Sequence, residues 1–313
     1  MGNKLKILYT MVTDSDKRFI IMRNKGWLNK MDDRKYLERL WKCFMGYEID
    51  IDNPVTFNEK LQWLKLNDRN PLYHKLADKI EVKKWVADKI GEQYIIPTLQ
   101  VWNEPGEIDF DNLSDRFVLK CNHNSGVGMY ICTDKLNVNA EMVRQGLAEG
   151  LAQDYYLPYR EWAYKDIPRK ILAEEYISTE TSNDMSSSYG LIDYKVHCFN
   201  GTPLFIEVIG DRDHSAGTAK ADLYDFDWNR LDWGFGDYPS FGKILPKPDN
   251  LQELYDVTSK LSEQMRYVRV DFYIIDRDLK FGEMTFYPNG GMVFYNNVYT
   301  HERDKLLGEN IIL

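Results

Sequence analysis

The chain has 313 residues, of which 43% are apolar and 28% are charged, so it has ample material for globular cores. Its 40 lysines and arginines against 49 aspartates and glutamates give a net charge of −9, which argues against general affinity for nucleic acid or anionic membranes. The four cysteines lack CxxC spacing, so they indicate neither a zinc site nor a disulfide framework, and they fit a reducing compartment. The N-terminus lacks the apolar core of a signal peptide and no run reaches membrane-span length, so we expect a cytoplasmic protein without a transmembrane segment.

Residues 1–93 are predicted to form a helical N-terminal region. Thr56 followed by Glu59 is a capping box that begins a helix, and Asn70-Pro71 interrupts the pattern. Apolar residues then recur at helical spacing until Gly91, where we expect the helix to end. We expect this region to pack against the rest of the protein.

A polar hairpin comes next along the chain. A strand ending at Lys120 leads into the loop 122–128, and a strand at 129–132 returns from it. Backbone amides of Ser125 and Gly126 are suited to binding phosphate oxygens, and Lys120 would add positive charge. The loop lacks the Gly-Lys-Ser/Thr of a Walker motif, and read alone it is more often just a turn. A lysine facing inward from an apolar strand nevertheless needs an anion.

A strand over 170–173 runs into the segment Glu174-Glu175-Tyr176-Ile177. Backbone groups at such a junction can pair with the edge of an adenine ring. Solvated acids at a strand end are the simpler interpretation, and without further observations we favour it. The stretch 178–188 is rich in Ser, Thr, Asn and Asp, which is typical of a linker or lid.

A second lobe is predicted to begin with a strand over 191–199, joined by the Asn200-Gly201 turn to a strand over 203–209. Asp193 and Lys195 share one face of the first strand. They are either a surface ion pair of little energetic value or a site in which Asp193 binds sugar hydroxyls and Lys195 binds a terminal phosphate. The two interpretations are evenly balanced. A loop-rich stretch then runs to Pro248, and a helix follows it.

Two acids near the C-terminus give the strongest prediction of a site. Asp271 and Glu283 lie in β-rich runs joined by a polar turn, which predicts adjacent antiparallel strands. Buried carboxylates without partners are costly, and two side by side repel unless a cation lies between them. We therefore predict a magnesium ion between Asp271 and Glu283, with Arg269 on the same strand face as Asp271. The alternative is a surface hairpin whose acids face water.

Hydrolysis through a covalent enzyme intermediate is poorly supported. The five histidines lack metal-ligand spacing, and the chain contains no Gly-x-Ser-x-Gly motif. No Ser/His/Asp or Cys/His arrangement is evident in the sequence.

In this order, the motifs resemble the ATP-grasp superfamily, and most closely its polysaccharide-associated teichuronopeptide-biosynthesis (TupA-like) family. The similarity covers most of the chain, through segments at 53–63, 77–79, 117–120, 174–177, 193–199, 269–273 and 282–286. The resemblance implies an α+β ATP-grasp fold in which two lobes clamp Mg-ATP. The implied regions are a helical N-terminal region at 1–93, lobe one at 94–178 and lobe two at 179–313.

The resemblance also implies roles for individual residues. For ATP it implies phosphate contacts from Lys120 and Lys195, a closing loop at Ser125 and Gly126, an adenine hinge at Glu174, Glu175, Tyr176 and Ile177, and a ribose contact from Asp193. For catalysis it implies Arg269 at the reacting carboxylate and Lys195 near the transferred phosphoryl group. For Mg²⁺ it implies Asp271 and Glu283. The superfamily often has an asparagine two residues after the second acid; here that position is Thr285, so the third ligand is the Thr285 hydroxyl, Asn289 or water.

The activity that the resemblance implies is ATP-dependent amide bond formation between a carboxylate and an amine, through an acyl phosphate. We expect a uronic acid or similar sugar carboxylate to be joined to an amino acid or small amine in capsular or other cell-surface polysaccharide biosynthesis, in association with polysaccharide-assembly enzymes. Arg212, His214 and Lys220 are candidates for substrate recognition. The alternatives are a sugar or small-molecule kinase on the same fold and a non-catalytic nucleotide-binding partner of polysaccharide assembly.

Overall fold

The computed structural model describes residues 13–177, 189–213, 216–296 and 298–313. The predicted linker or lid at 178–188 lies outside the described residues, as does His214. The helices are α1 (Ser15–Asn24), α2 (Asp33–Met45), α3 (Phe57–Asn67), α4 (Leu72–Ala77), α5 (Glu81–Ile90), α6 (Ala140–Ala152), α7 (Leu251–Ser262) and α8 (His301–Gly308). The strands are β1 (Thr98–Trp102), β2 (Phe117–Cys121), β3 (Tyr130–Cys132), β4 (Ile171–Glu175), β5 (Asp193–Phe199), β6 (Thr202–Asp213), β7 (Thr218–Tyr224), β8 (Tyr267–Ile275) and β9 (Asp278–Thr285).

The first sheet has four strands in the order β1-β4-β2-β3. The predicted polar hairpin is confirmed, because β2 pairs antiparallel with β3 and places Leu119 opposite Tyr130. Strand β4 extends further than predicted, so Glu174 lies inside the strand, opposite Val118. Strand β1 was not predicted. It lies at the edge of the sheet with most of its side chains exposed, although Leu99 and Val101 alternate with polar residues as they do in a strand.

The second sheet has five antiparallel strands in the order β7-β6-β5-β8-β9. The predicted turn between β5 and β6 is confirmed, with left-handed φ values of 46° at Asn200 and 79° at Gly201. All seven residues of β5 are buried, because the strand is central in the sheet and covered on both faces. Strand β7 corrects the prediction of a loop-rich stretch. Its apolar residues at 219, 221 and 223 alternate with Lys220 and Asp222, which is a strand pattern that the prediction overlooked.

Helices of the N-terminal region belong to the core of the second sheet. Apolar residues of α3, α4 and α5 share one continuous buried cluster with β5, β6, β8 and α7. Phe57, for example, packs edge to face against Tyr267 with ring centroids 4.9 Å apart. The first sheet has a smaller core with α6. The division into 1–93, 94–178 and 179–313 stays a proposal.

Side chains on one face of α3 hold the loop that follows β9. The predicted capping box at Thr56 is confirmed and sets where this helix begins. From the helix, Asn58 donates to the carbonyl oxygen of Val293 (2.8 Å), Gln62 to that of Gly291 (2.6 Å) and Lys65 to that of Gly290 (2.5 Å). The three residues 289–291 all have left-handed φ values, between 52° and 70°. Helix α3 therefore stabilises an unusual backbone conformation by pairing its carbonyl groups.

The cysteines fit the expectation of unpaired thiols: all four are free, and Cys121, Cys132 and Cys198 are buried. Among the described residues, no helix combines the length and the apolar character that crossing a membrane requires.

The base of the polar hairpin packs directly against α6, which leads to a prediction about two glycines of that helix. A Cβ atom at Gly150 would lie 2.7 Å from the Cα atom of Gly128 and 2.8 Å from the sulfur atom of Cys121. We expect Gly150→Ala to lower the free energy of unfolding by about 1–3 kcal/mol, measured by chemical denaturation.

Gly146→Ala is the matched control, since a Cβ atom there meets nothing within 4 Å on the same helix. It should raise the free energy of unfolding by about 0.4–1 kcal/mol. Equal effects of the two substitutions would contradict the proposed contact between the loop and the helix.

Candidate active site

The predicted pair of acids lies on the hairpin formed by β8 and β9. The two strands are antiparallel as predicted, and Asp271 lies directly opposite Glu283 while Arg269 lies opposite Thr285. The two acids differ in accessibility: the Asp271 side chain is 3% exposed and that of Glu283 is 30% exposed. Glu283 is therefore the acid that faces the open side of the site.

Cations of the protein itself neutralise both acids. Arg269 donates to both carboxylate oxygens of Asp271, at 2.7 and 2.8 Å, and the Lys195 ammonium also binds Asp271. The Nζ atom of Lys79 lies 3.6 Å from a carboxylate oxygen of Glu283. The positive charge that the two acids were predicted to need is therefore supplied by three side chains, so their proximity does not by itself require the predicted magnesium ion.

The ion pairs continue along the sheet in strict alternation of charge. Asp193 binds Arg212 and lies 3.7 Å from the Lys195 ammonium. The interpretation of Asp193 and Lys195 as a surface ion pair is wrong, because β5 is the buried central strand. We name the whole series the charge chain; in order, its members are Lys79, Glu283, Arg269, Asp271, Lys195, Asp193 and Arg212.

The charge chain keeps its buried carboxylates ionised. Burial opposes ionisation of Asp193, but Lys195 and Arg212 outweigh it and lower the pKa of that carboxyl. Arg269 and Lys195 lower the pKa of Asp271 against the same opposition. In return, Asp271 raises the pKa of Arg269 despite its burial, so the guanidinium stays charged.

A second cluster lies in the first sheet. Glu174 is buried and binds the ammonium groups of Lys120 and Lys83, the latter at 2.7 Å. We name these three residues the lysine triad. Glu174 is thus the anion that Lys120 was predicted to need. The interpretation of Glu174 as a solvated acid is wrong, because its side chain is buried. The neighbouring Glu175 is exposed. Burial opposes ionisation of Glu174, but Lys120 and Lys83 lower its pKa.

Tyr273 and Lys79 connect the lysine triad, the polar loop and the charge chain. Asp193, burial and Glu174 all raise the pKa of Tyr273, so its ring lies within electrostatic reach of both clusters. Lys79 donates to the carbonyl oxygen of Asn124 in the polar loop (2.7 Å) and also pairs with Glu283. Lys79 was not predicted as a site residue; its only signal was its place in a segment that carries the family resemblance.

The polar loop combines a buried base with an exposed tip. Asn122, His123 and Asn124 are buried, and the Asn124 amide donates to the carbonyl oxygens of Val127 (3.0 Å) and Gly150 (3.2 Å). The tip at 125–127 is exposed. Positive φ at Gly126 (86°) lets the chain turn sharply there.

The predicted hinge follows directly after β4. Tyr176 and Ile177 are half-buried and outside the regular strand. The guanidinium of Arg116 lies over the Tyr176 ring, 5.8 Å from its centroid. The backbone amide of Glu175 donates to the carbonyl oxygen of Pro97 (3.0 Å). These positions place the hinge segment beside the lysine triad at one end of the sheet.

A cavity of about 620 Å³ opens beside the charge chain. Arg269, Glu283, Thr285 and Ser125 line one part of it. Aromatic side chains form much of the remaining wall, namely Phe44, Tyr155, Tyr159, Tyr164, Tyr287 and Phe294. Sequence reasoning missed these wall residues, because they come from three distant parts of the chain and form no motif.

The residues predicted for substrate recognition lie elsewhere. Arg212 is bound to Asp193 at the end of the charge chain, and Lys220 forms an exposed ion pair with Asp211 at 2.9 Å. Neither residue lines the cavity, and His214 is outside the described residues. A substrate role for these three residues stays a prediction without geometric support.

The donor atoms beside the cavity fit a magnesium ion. The described residues contain no group of three or more His, Cys, Asp or Glu side chains arranged to hold a metal. Magnesium, however, usually takes only one or two carboxylates and completes its shell with phosphate oxygens and water. Asp271 and Glu283 supply that number of carboxylates, and the Thr285 hydroxyl lies 3.5 Å from Glu283.

The sequence model of the family described as TupA-like ATPgrasp matches residues 59–312. The chain belongs to the TupA-like ATP-grasp family. This membership confirms the predicted family and the α+β ATP-grasp fold, and in general terms it supports an ATP-dependent ligase. A comparison with curated proteins finds no match.

Solved structures with a similar fold include D-alanine–D-alanine ligases and an ATP-grasp ligase, all at low identity. D-Alanine–D-alanine ligase from Bacillus anthracis has 17% identity and a TM-score of 0.43, over 88% of this chain and 84% of that one. The enzyme of the same name from Helicobacter pylori has 16% identity and a TM-score of 0.39, over 76% of this chain and 61% of that one. The ATP-grasp ligase PsnB complexed with minimal precursor, Mg and ADP has 10% identity and a TM-score of 0.39, over 84% and 64%. This chain thus spans less than two thirds of the length of the last two structures. TM-scores this low add nothing to the family assignment.

Glu174 in the lysine triad generates a prediction about pH. Because its folded-state pKa is lowered, its ion pairs stabilise the fold above the unfolded pKa, and this stabilisation disappears as the pH falls through the folded pKa. We expect Glu174→Gln to lower the free energy of unfolding by about 1–3 kcal/mol at neutral pH. The deficit should shrink below about pH 4, where the wild-type carboxyl also becomes protonated.

Denaturant unfolding at several pH values measures this effect. Glu175→Gln, at the exposed neighbouring position, is the matched control and should change the free energy of unfolding by less than about 0.5 kcal/mol. A deficit for Glu174→Gln that stays the same from neutral to acid pH would show that its charge is not what stabilises the triad.

Proposed function

We propose that this protein is an ATP- and Mg²⁺-dependent carboxylate–amine ligase that forms an amide bond through an acyl phosphate. One observation carries the proposal. Asp271 and Glu283 lie opposite each other, and Arg269 donates hydrogen bonds to both carboxylates. Arg269 and Glu283 also line the cavity of about 620 Å³. This arrangement supports a metal ion bound by the two acids, next to a guanidinium that lines a space for a substrate. It requires no covalent enzyme nucleophile, in agreement with the sequence.

The ATP site is proposed to lie between the lysine triad and the charge chain. Both clusters begin and end in a cation, so each offers positive charge to a polyphosphate. Lys120 and Lys195 are the proposed phosphate contacts, and their present partners, Glu174 and Asp271, would be exchanged for phosphate oxygens. The hinge from Glu174 to Ile177 is proposed for the adenine, Asp193 for the ribose, and Ser125 with Gly126 for the closing loop.

Magnesium would be held by Asp271, Glu283 and the Thr285 hydroxyl. When bound there, the ion neutralises charge on the transferred phosphoryl group. Both oxygens of Asp271 already accept hydrogen bonds from Arg269 and Lys195, whereas Glu283 is partly exposed. Glu283 is therefore the more accessible ligand, and Asp271 must release part of its pairing to contribute.

Arg269 is proposed to hold the reacting carboxylate. Its guanidinium lines the cavity, remains charged and is held in place by Asp271, Glu283 and Thr285. Its Nε and Nη2 atoms bind these three side chains, so a substrate carboxylate would bind through Nη1 or replace one of the present partners. The same group would then stabilise the oxyanion that forms when an amine attacks the acyl phosphate. Closure of the exposed loop tip would exclude water, which otherwise hydrolyses that intermediate.

The proposed acceptor is a uronic acid or a similar sugar carboxylate, joined to an amino acid or small amine. Tyrosine and phenylalanine rings on the cavity wall suit the faces of a sugar ring, while Gln153 and Asn289 offer polar contacts to its hydroxyls. A role in capsular or other cell-surface polysaccharide biosynthesis, in the cytoplasm and beside polysaccharide-assembly enzymes, rests on family likeness alone.

The direct test combines a panel of uronic acids with amino acids and small amines. Release of phosphate and ADP that depends on both substrates, together with an amide product seen by mass spectrometry, is the expected result. A phosphorylated sugar that accumulates without an amine would instead identify a kinase. Tight ATP binding without turnover across the whole panel would identify a non-catalytic nucleotide-binding protein.

Glu283→Gln provides the sharpest test of the metal site. We expect it to reduce turnover by at least about 100-fold and to raise the Mg²⁺ concentration needed for half-maximal activity, because it removes the accessible carboxylate. Asp271→Asn should be as inactive, but it also leaves Arg269 and Lys195 without their shared partner and so destabilises the fold.

Glu263→Gln is the control for this comparison, since Glu263 is exposed and lies outside the site. The measurement is ADP release during a Mg²⁺ titration, with thermal unfolding to verify folding. A wild-type Mg²⁺ dependence in Glu283→Gln would falsify the proposed metal site.

A further inference from the structure

Glu161 is a buried acid in the cavity wall that the proposed mechanism has not used. It lies in the segment between α6 and β4, it is 4% exposed, and it lines the cavity together with Arg269 and Glu283. It belongs to neither the charge chain nor the lysine triad. An acid so deeply buried is costly unless a cation compensates it.

The charged residue that acts on Glu161 is Lys65 of α3. The Lys65 ammonium donates to the side-chain oxygen of Gln62 (2.8 Å) and to the carbonyl oxygen of Gly290 (2.5 Å). Burial raises the pKa of Glu161 to about 8, although Lys65 opposes the shift. Burial also lowers the pKa of Lys65 to about 7. With a pKa of about 8, the Glu161 carboxyl is mostly protonated at neutral pH and ionises in the mildly alkaline range, whereas an acid in water would already be ionised.

Two tyrosines connect Glu161 electrostatically to the reacting end of the cavity. The rings of Tyr155 and Tyr164 meet edge to face with centroids 4.7 Å apart, and both line the cavity. Burial and then neighbouring charges, including those of Glu161 and Glu283, raise the pKa of both phenols. Arg269 acts on both phenols in the opposite direction. The cavity thus has a cationic group and, once Glu161 ionises, a separate anionic group on a shared aromatic wall.

We propose that Glu161 is the amine subsite: its carboxylate binds the incoming ammonium and accepts one of its protons. The inference rests on the proposed ligase function and names the group that prepares its second substrate. A carboxylate substrate is directed to Arg269 by charge, and the same carboxylate is repelled by Glu161. A cationic amine is attracted to Glu161 and repelled by Arg269. From about pH 8 upward, where Glu161 is ionised, the two charges therefore sort the substrates within one cavity.

The chemical step balances without any further reactant. Glu161 takes one proton from the ammonium, which frees the nitrogen lone pair. The lone pair forms a bond to the carbonyl carbon of the acyl phosphate, and the bond from that carbon to the phosphate oxygen breaks with its electron pair. A second nitrogen proton leaves with the phosphate, and Glu161 returns its proton to solvent once the amide has departed.

The test compares two nucleophiles in Glu161→Gln. With glucuronic or galacturonic acid and ATP, alanine enters as an ammonium and needs a base, whereas hydroxylamine is mostly uncharged at neutral pH and needs none. We expect amide formation with alanine to fall by about 100-fold or more, as for loss of a general base. Hydroxamate formation should remain within about twofold of the wild-type rate, because activation of the carboxylate does not involve Glu161.

Glu149→Gln is the matched control on the exposed face of α6, and Glu161→Asp tests whether an acid alone restores amide formation. Thermal unfolding of each variant verifies folding, and the hydroxamate rate reports an intact activation site in the same sample. Equal losses with alanine and with hydroxylamine would overturn the amine subsite but leave the ligase proposal standing. A wild-type protein that forms neither product with either acid would overturn both.

Discussion

Alternating ion pairs across β5, β8 and β9 dominate this structure. A sheet that buries Lys195, Asp271 and Arg269 in its interior can do so only because each charge lies between two opposite ones. Removing one member leaves its neighbours as uncompensated buried charges, so the chain behaves as a unit. The same pairing holds cations in place for a polyphosphate and carboxylates in place for a metal. Stability and function therefore depend on the same contacts.

The N-terminal helices contribute to the site as well as to the core. Through Asn58, Gln62 and Lys65, helix α3 pairs the carbonyl groups of a left-handed loop that forms part of the cavity wall. Without these side chains, the carbonyl groups of the loop would be buried without hydrogen-bond partners. Lys65 also acts electrostatically on Glu161, so one helix shapes the cavity and lowers the pKa of its buried acid against the effect of burial. The shape of this cavity therefore depends on helix α3.

Local signals predicted much of the fold. The Asn200-Gly201 turn, the capping box at Thr56 and the antiparallel run containing Asp271 and Glu283 each depend on residues close together in sequence. Strands β1 and β7, each at the edge of its sheet, were not predicted although their residues alternate between apolar and polar. The site was predicted only in part. Acids and lysines within strands were recognisable as costly, but their partners were not.

The sequence by itself determined the family, the α+β class and the placement of charged side chains in strands that must be buried. It determined these because burial cost, turn chemistry and strand alternation are properties of neighbouring residues. Only the tertiary structure decided which cation compensates which acid, since Lys79, Lys195 and Glu283 come from three separate segments of the chain. It also decided that a cavity lies beside them and that Glu161 is buried in its wall. Coulombic energy depends on distance in space, and distance in space between remote segments is what folding creates.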